Sequence, residues 1–257
     1  MPIITLTSDW GLKDHYAGAV KGAILSKMPE ATIVDISHQI PSFEIEQAAF
    51  VLKNSYPDFP KGTIHILAVN TEESEKFAHV VIEKDGQYFI GNDNGIFSLL
   101  FEEVPENIIE LTIAQDSDYF TFSSRDRFVK AAVHLAKGES LTELGSPKSG
   151  IVEKILLKPV VDQNVVRGHV MYIDTYENII TNITEPFFKE IRKNRKFSII
   201  FRSYSISKIS QSYTDVPPGE IVALFDSNGY LEIAMNQGNA AGLLGLGYKD
   251  MIRIEFE

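Results

Sequence analysis

Apolar positions in the first 150 residues follow two rhythms that alternate along the chain. Short unbroken runs at residues 3–7, 31–37 ("ATIVDIS") and 62–69 ("GTIHILAV") have the length of buried strands. Between them lie stretches with helical spacing. One runs from about 14 to 28 and carries Ala17, Gly18, Ala19, Gly22 and Ala23, small residues expected to let a helix sit close to a sheet. A second opens at Pro41-Ser42 and sets Ile45, Ala48, Ala49 and Leu52 on one face. A third, "RFVKAAVHLAKG", points Phe128, Ala131, Ala132 and Leu135 inward before Gly138 stops it. "HVVIE" and "QYFIG" predict a hairpin about Asp85-Gly86. Strands alternating with helices predict an α/β domain with a largely parallel, covered sheet.

From residue 152 the rhythm becomes one of short alternating strands: "EKILLKPVV", "GHVMYID", "NIITNI", "KFSIIF", "IVALF", "YLEIAM" and "MIRIEF". Turn signals such as Pro217-Pro218-Gly219 and Asn228-Gly229 separate them. That pattern predicts an all-β, barrel-like domain. The expected division is 1–150 for the α/β domain, 151–164 for a linker and 165–257 for the β-barrel.

Composition narrows the function classes. A net charge of −11 argues against a nucleic-acid surface, which needs clustered Lys and Arg. The one basic run, "RKNRK" at 192–196, reads as a solvated helix end. The chain has no cysteine, which excludes disulfides, thiolate metal sites and a cysteine nucleophile. The first residues read as a strand and not as a targeting segment. No apolar run approaches the ~18 residues of a membrane span. A soluble, cytoplasmic protein with no membrane or nucleic-acid partner is expected.

Candidate chemistry sits at strand ends. In "TSDWGLKDHYAG", Asp9 follows the first strand, where a carboxylate can hold a ribose diol or cap a helix. Asp9 and Asp14 together offer too few hard ligands for a metal, and the six histidines are scattered without ligand spacing. His38 reads as a loop or capping residue and "GNDNGIFSLL" as a turn followed by a short helix. "YIDTYENIITNI" and "FDSNGYLEIAMNQGNAAGLLGL" are rich in polar groups. There Asp174 suits an ammonium, Asn178 an amide edge and Ser227 a carboxylate, while all of these residue types also serve turns.

Taken in order, "TLTSDWGLKDHYAGAVKG", "DISHQIPSFEIEQAAFVL", "FPKGTIHILAV", "GNDNGIFSLL", "TFSSRDRF", "GHVMYIDTYENIITNI" and "NGYLEIAMNQGNAAGLLGL" resemble the S-adenosylmethionine (SAM) hydroxide adenosyltransferase, or SAM hydrolase, family. Its relatives include the SAM-dependent fluorinase and chlorinase. The resemblance implies a homotrimer with SAM bound at subunit interfaces and water attacking C5′ to give adenosine and methionine. SAM is then substrate or ligand, and no cofactor or metal is expected. By position, Asp9 would hold the ribose, Trp10 would pack on the ligand where the family usually has Phe, and Asp174 would take the methionine ammonium. Asn178, with Tyr176 beside it, would meet the adenine, and Ser227 the methionine carboxylate. Asn228 stands where the halogenating relatives have Arg.

The water-activating positions depart from the pattern. The family's Val-Asp-Pro-Gly-Val-Gly reads Val69-Asn70-Thr71-Glu72-Glu73-Ser74 here, so the Asp is Asn70. Phe77 falls at the Arg position, with Lys76 just before it, and the His is Ser123. Three outcomes stay open at this point: a hydrolase rebuilt around Glu72, Glu73 or Glu75 and Lys76; a catalytically impaired SAM or adenosine binder; or a nucleoside hydrolase-like enzyme.

Overall fold

The computed structural model describes residues 1–105 and 107–257, which fall into two units, Met1–Ile155 and Leu156–Glu257. In the first, the apolar runs become β1 (Ile3–Ser8), β2 (Thr32–Ser37) and β3 (Ile64–Ala68). The hairpin becomes β4 (His79–Lys84) and β5 (Gln87–Asn92). Two strands that the periodicity did not reveal, β6 (Asn107–Leu111) and β7 (Gly145–Pro147), extend the sheet to the order β2-β1-β3-β5-β4-β6-β7. Strands β2, β1, β3 and β5 are parallel, and the remaining pairings are antiparallel.

Successive side chains of a strand point to opposite faces, so β3 feeds two cores. Ile64, Ile66 and Ala68 join Val20 and Ile24 of α1 (Tyr16–Lys27) and Ala131, Ala132 and Leu135 of α4 (Val129–Ala136). Leu67 and Val69 join Ile45, Ala48, Ala49 and Leu52 of α2 (Ile45–Lys53) and Phe97 of α3 (Ile96–Leu100). The sheet is therefore covered on both sides, as an α/β architecture requires. One expectation fails. Gly18 and Gly22 do not face the sheet: both are exposed, with open space where a Cβ would stand. Helix α1 packs through Ala17, Val20 and Ile24 instead.

Inside the α2 layer, His65 is a structural histidine. Its Nδ1 meets Thr5 Oγ1 at 2.7 Å and its Nε2 meets Gln87 Oε1 at 2.6 Å. Burial pushes its pKa down to about 4, against the Gln87 hydrogen bond, so the ring is neutral near pH 7.

The second unit contains β8 (Val160–Asp162), β9 (Val165–Ile173), β10 (Ile179–Thr184), β11 (Phe197–Phe201), β12 (Tyr204–Ile206), β13 (Ile221–Phe225), β14 (Tyr230–Met235) and β15 (Met251–Phe256). They form an antiparallel, barrel-like sheet of order β12-β11-β15-β9-β10-β14-β13, with β8 on β9. Val170, Ile179, Ile233 and Ile252 fill its core, with Phe188 of α5 (Glu185–Arg192). Thr184 caps α5 through Phe187 N, and the helix ends where "RKNRK" begins. A second short helix, α6 (Ala240–Leu244), is capped by Asn239 Oδ1. The predicted strand "EKILLKPVV" is corrected: pairing begins only at Val160, and Ile155 and Leu157 are 87% and 64% exposed. Alternation alone does not make a strand without a neighbouring ladder to bond. Among the described residues, no helix is long and apolar enough to cross a membrane.

Candidate functional site

Strand order reverses at β1: β2 lies on one side of it and β3 on the other. Open α/β sheets bind ligands in the crevice beyond the carboxyl ends of strands at such a point. A cleft of about 570 Å³ opens there. It is lined by Asp9 and Trp10 after β1, by Asn70, Thr71, Glu72 and Glu73 after β3, and by Ser123. The structure thus brings Asp9, Trp10, Asn70, Glu72 and Ser123 together. It does not bring in Lys76 and Phe77: they belong to a tight turn closed by reciprocal Ser74–Phe77 backbone bonds, with the Lys76 ammonium over the Phe77 ring.

Local chemistry fixes each wall. Gly11 has φ +65° and donates to His38 O at 2.7 Å, which folds the chain sharply after β1. His38 Nδ1 bonds Ser8 Oγ at 2.6 Å, Nε2 lies 3.1 Å from Asp35 Oδ1, and the ring stacks on Trp10. His38 is therefore the floor under Trp10, a fuller role than the capping one expected from sequence. Asp9 caps no helix. Its Oδ2 accepts the Phe43 backbone N–H at 2.9 Å. Asp9 and Asp14 gather no metal-holding cluster among the described residues.

The loop after β3 is tied by residues the motif reading passed over. Asn70 stands at φ +51°. Its carbonyl accepts Asn94 Nδ2 at 2.9 Å, and the Glu72 carbonyl accepts Asn92 Nδ2 at 2.6 Å. "GNDNG", read as a turn, is thus the clamp of the cleft's loop. His79 Nε2 donates to Thr71 O at 2.8 Å, and Arg127 bonds Glu73. Arg127 sits in a π-helical turn, Ser124–Phe128, a distortion often found at functional sites. In the same turn, Arg125 binds Asp126 through two hydrogen bonds and holds that carboxyl below its usual range.

A second pocket, of about 700 Å³, lies in the β unit. Asp174, Tyr176 and Asn178 line it with Tyr213, Gln237 and Asn239. Asp174 organises its own turn: Oδ1 accepts Tyr176 N and Asn178 N at 2.9 and 2.8 Å, and Oδ2 accepts Asn178 Nδ2 at 3.2 Å. Turn-builder and pocket-lining carboxylate are thus one residue. Ser227 and Asn228 do not line this pocket. They lie exposed in a turn that Asp226 Oδ1 closes onto Asn228 N and Tyr230 N.

Sequence reading missed Tyr213 and Glu232, although one carboxylate within "YLEIAM" was a visible signal. Glu232 is 3% exposed and accepts the Tyr213 hydroxyl at 2.8 Å. Burial pushes its pKa up to about 7; the Tyr213 bond opposes the rise, and Asp174 and Asp226 add to it. The unfolded chain ionises near the ordinary carboxylate value, so between about pH 4.5 and 7 the fold holds the extra proton and stability falls as pH rises. Glu232→Gln is expected to abolish that decline, raising stability at pH 8 by roughly 1–3 kcal/mol while changing little at pH 4.5. Thermal melts at the two pH values check this, and parallel wild-type and variant curves contradict it.

An α/β unit with a carboxylate-edged cleft at its switch point, followed by an antiparallel β unit with its own polar pocket, defines a two-unit α/β-plus-β protein. Within that class the chain belongs to the SAM hydroxide adenosyltransferase family, whose N-terminal domain model matches residues 4–145 and whose C-terminal domain model matches residues 168–253. A protein of Methanocaldococcus jannaschii named (R)-S-adenosyl-L-methionine hydrolase is 31% identical, over 99% of this chain and 96% of its own. A Nocardia brasiliensis protein named fluorinase is 26% identical, over 93% of this chain and 92% of its own. The crystal structure of an uncharacterised conserved protein from Thermotoga maritima superposes with a TM-score of 0.88 at 32% identity, covering 99% of both chains.

Proposed function

We propose that the protein hydrolyses S-adenosylmethionine to adenosine and methionine. The observation that carries this reading is the match to a relative named for that reaction over nearly the whole of both chains. The chemistry makes modest demands. Water attacks C5′ in line with the sulfonium, and a neutral thioether departs, so the reaction requires neither a general acid nor a cofactor. The protein has to position the reactants, exclude bulk water and polarise the nucleophile.

In this reading Asp9 holds the ribose hydroxyls and Trp10 packs on the ligand. Asp174 takes the methionine ammonium, and Asn178 with Tyr176 meets the adenine. Ser227 sits beside the methionine carboxylate, with Asn228 standing where the halogenating relatives have Arg. Copies of the chain assemble as a homotrimer to complete each site. The acidic surroundings of the second pocket support the ammonium assignment: Asp174 lines it and, with Asp226, acts electrostatically on Glu232, and the ligand is a cation.

A second reading, a SAM or adenosine binder without turnover, is favoured by one specific observation: Asn70 and Ser123 face the cleft where the family's pattern has Asp and His. Incubation of the purified protein with SAM, followed by chromatography of adenosine and methionine, separates the two. The hydrolase reading expects both products in equal amounts above an enzyme-free control. Thermal stabilisation by SAM without product supports the binder, and neither product nor stabilisation overturns both readings.

A further inference from the structure

Three ionisable groups converge at the edge of the first cleft from distant parts of the chain. Glu73 Oε2 accepts Arg127 Nη1 at 2.6 Å and lies 3.9 Å from His79 Nδ1. Arg127 Nη1 also reaches His79 Nδ1 at 3.1 Å. Because His79 Nε2 donates to Thr71 O at 2.8 Å, the network places the ring proton on Nε2 and leaves Nδ1 to accept from Arg127. Burial lowers the His79 pKa, which favours that neutral form; the Thr71 bond and Glu73 oppose the shift and Arg127 reinforces it.

The side chain of His79 is fully buried and that of Arg127 is 12% exposed, so both are held by the fold, while Glu73 at 38% reaches the cleft. Both contacts fall on Oε2; among the described residues, Oε1 has no protein partner. A carboxylate anchored through one oxygen and open at the other has the geometry of a general base, which must be held within hydrogen-bond reach of the proton it removes. Glu72 lines the same cleft, but among the described residues its side chain is tied to nothing. Glu75 lies outside the cleft.

We propose that Glu73 is the catalytic base of this protein, with Arg127 and His79 as its positioning residues; the assignment rests on the hydrolase reading. The water oxygen bonds to C5′ as the C5′–S bond breaks, and sulfur leaves with the bonding pair as the methionine thioether. The proton displaced from water passes to Glu73 and then to solvent. SAM cation and water thus give adenosine, methionine and one proton.

The test compares wild type with Glu73→Gln, Glu72→Gln, Arg127→Gln and the Glu73→Gln/Arg127→Gln double variant, measuring kcat, KM and calorimetric SAM affinity in the full-length chain. Glu73→Gln is expected to lower kcat about 10²–10³-fold, the range of general-base assistance, with SAM affinity within threefold of wild type. Arg127→Gln is expected to lower kcat about tenfold at unchanged KM. The double variant is expected to be no slower than Glu73→Gln alone, since Arg127 acts through that carboxylate. A folded Glu73→Gln with wild-type turnover overturns the proposal, as does loss of turnover in Glu72→Gln instead. Additive losses in the double variant overturn the role given to Arg127. A wild-type protein that binds SAM but yields no adenosine overturns this assignment and the hydrolase reading together, an outcome distinct from failure of Glu73 alone.

Discussion

Asp174→Asn is expected to weaken SAM binding about 10–100-fold while the melting temperature stays close to that of wild type, and Asp174→Ala is expected to lose both affinity and the turn. The difference follows from the two jobs of the side chain. Oδ1 accepts two backbone N–H groups and Oδ2 accepts Asn178 Nδ2. Asparagine keeps an acceptor for the backbone pair, so the chain reversal between β9 and β10 survives. It loses the negative charge and the Oδ2 acceptor of Asn178 Nδ2, and a charge-assisted hydrogen bond to an ammonium is worth about 1.5–3 kcal/mol. Alanine also leaves Tyr176 N and Asn178 N without their acceptor, so Asn178 is no longer held in the pocket. Calorimetric titration with SAM, alongside thermal melts of both variants, checks the separation. Equal affinity of Asp174→Asn and wild type contradicts the ammonium assignment.

Phe128→Ala is expected to cost the first unit about 3–5 kcal/mol, the usual cost of emptying a buried aromatic site. Phe128 is fully buried in the core under α1 and α4 and meets His79 edge-on, with ring centroids 4.7 Å apart. It also ends the π-helical turn that carries Arg127. The cavity therefore removes packing and loosens the support of the Glu73 cluster at once. Phe128→Leu, which keeps most of the volume, is expected to cost less than half as much. The chain has a single tryptophan, Trp10, and it packs against this same core. Its fluorescence in urea titrations therefore reports unfolding of the first unit. A midpoint for Phe128→Ala within error of wild type contradicts the packing account.

Much of this architecture was legible in the sequence because burial imposes a period. The spacing of Ile45, Ala48, Ala49 and Leu52 and of Phe128, Ala131, Ala132 and Leu135 marked the buried faces of two helices correctly. Features set by a partner were not legible. "EKILLKPVV" alternates like a strand but finds a ladder only at its end, while β6 and the edge strand β7 are short strands whose existence depends on the sheet they extend. Small residues on α1 suggested close packing, yet which face turns inward is decided by Val20 and Ile24.

The site divides in the same way. Strand ends and their polar loops located Asp9, Asn70, Asp174 and Asn178, because a buried strand must empty into a loop somewhere, whereas Ser123 was placed by the family resemblance. The Glu73–Arg127–His79 cluster left no local pattern. Its members are 54 and 48 positions apart in the pairs that bond, and only the fold brings them together. Likewise, the polar residues around Ser227 belong to the same sequence block as Asn239, but the structure sends only the latter to the pocket beside Asp174.

In the hydrolase reading, water activated in the first cleft attacks C5′ of SAM. The most direct measurement is turnover in water enriched in oxygen-18, with both products analysed by mass spectrometry. The expected result is adenosine carrying one heavy oxygen at its 5′-hydroxyl and methionine carrying none. SAM that stays bound without product, or adenosine lacking the label, contradicts the account.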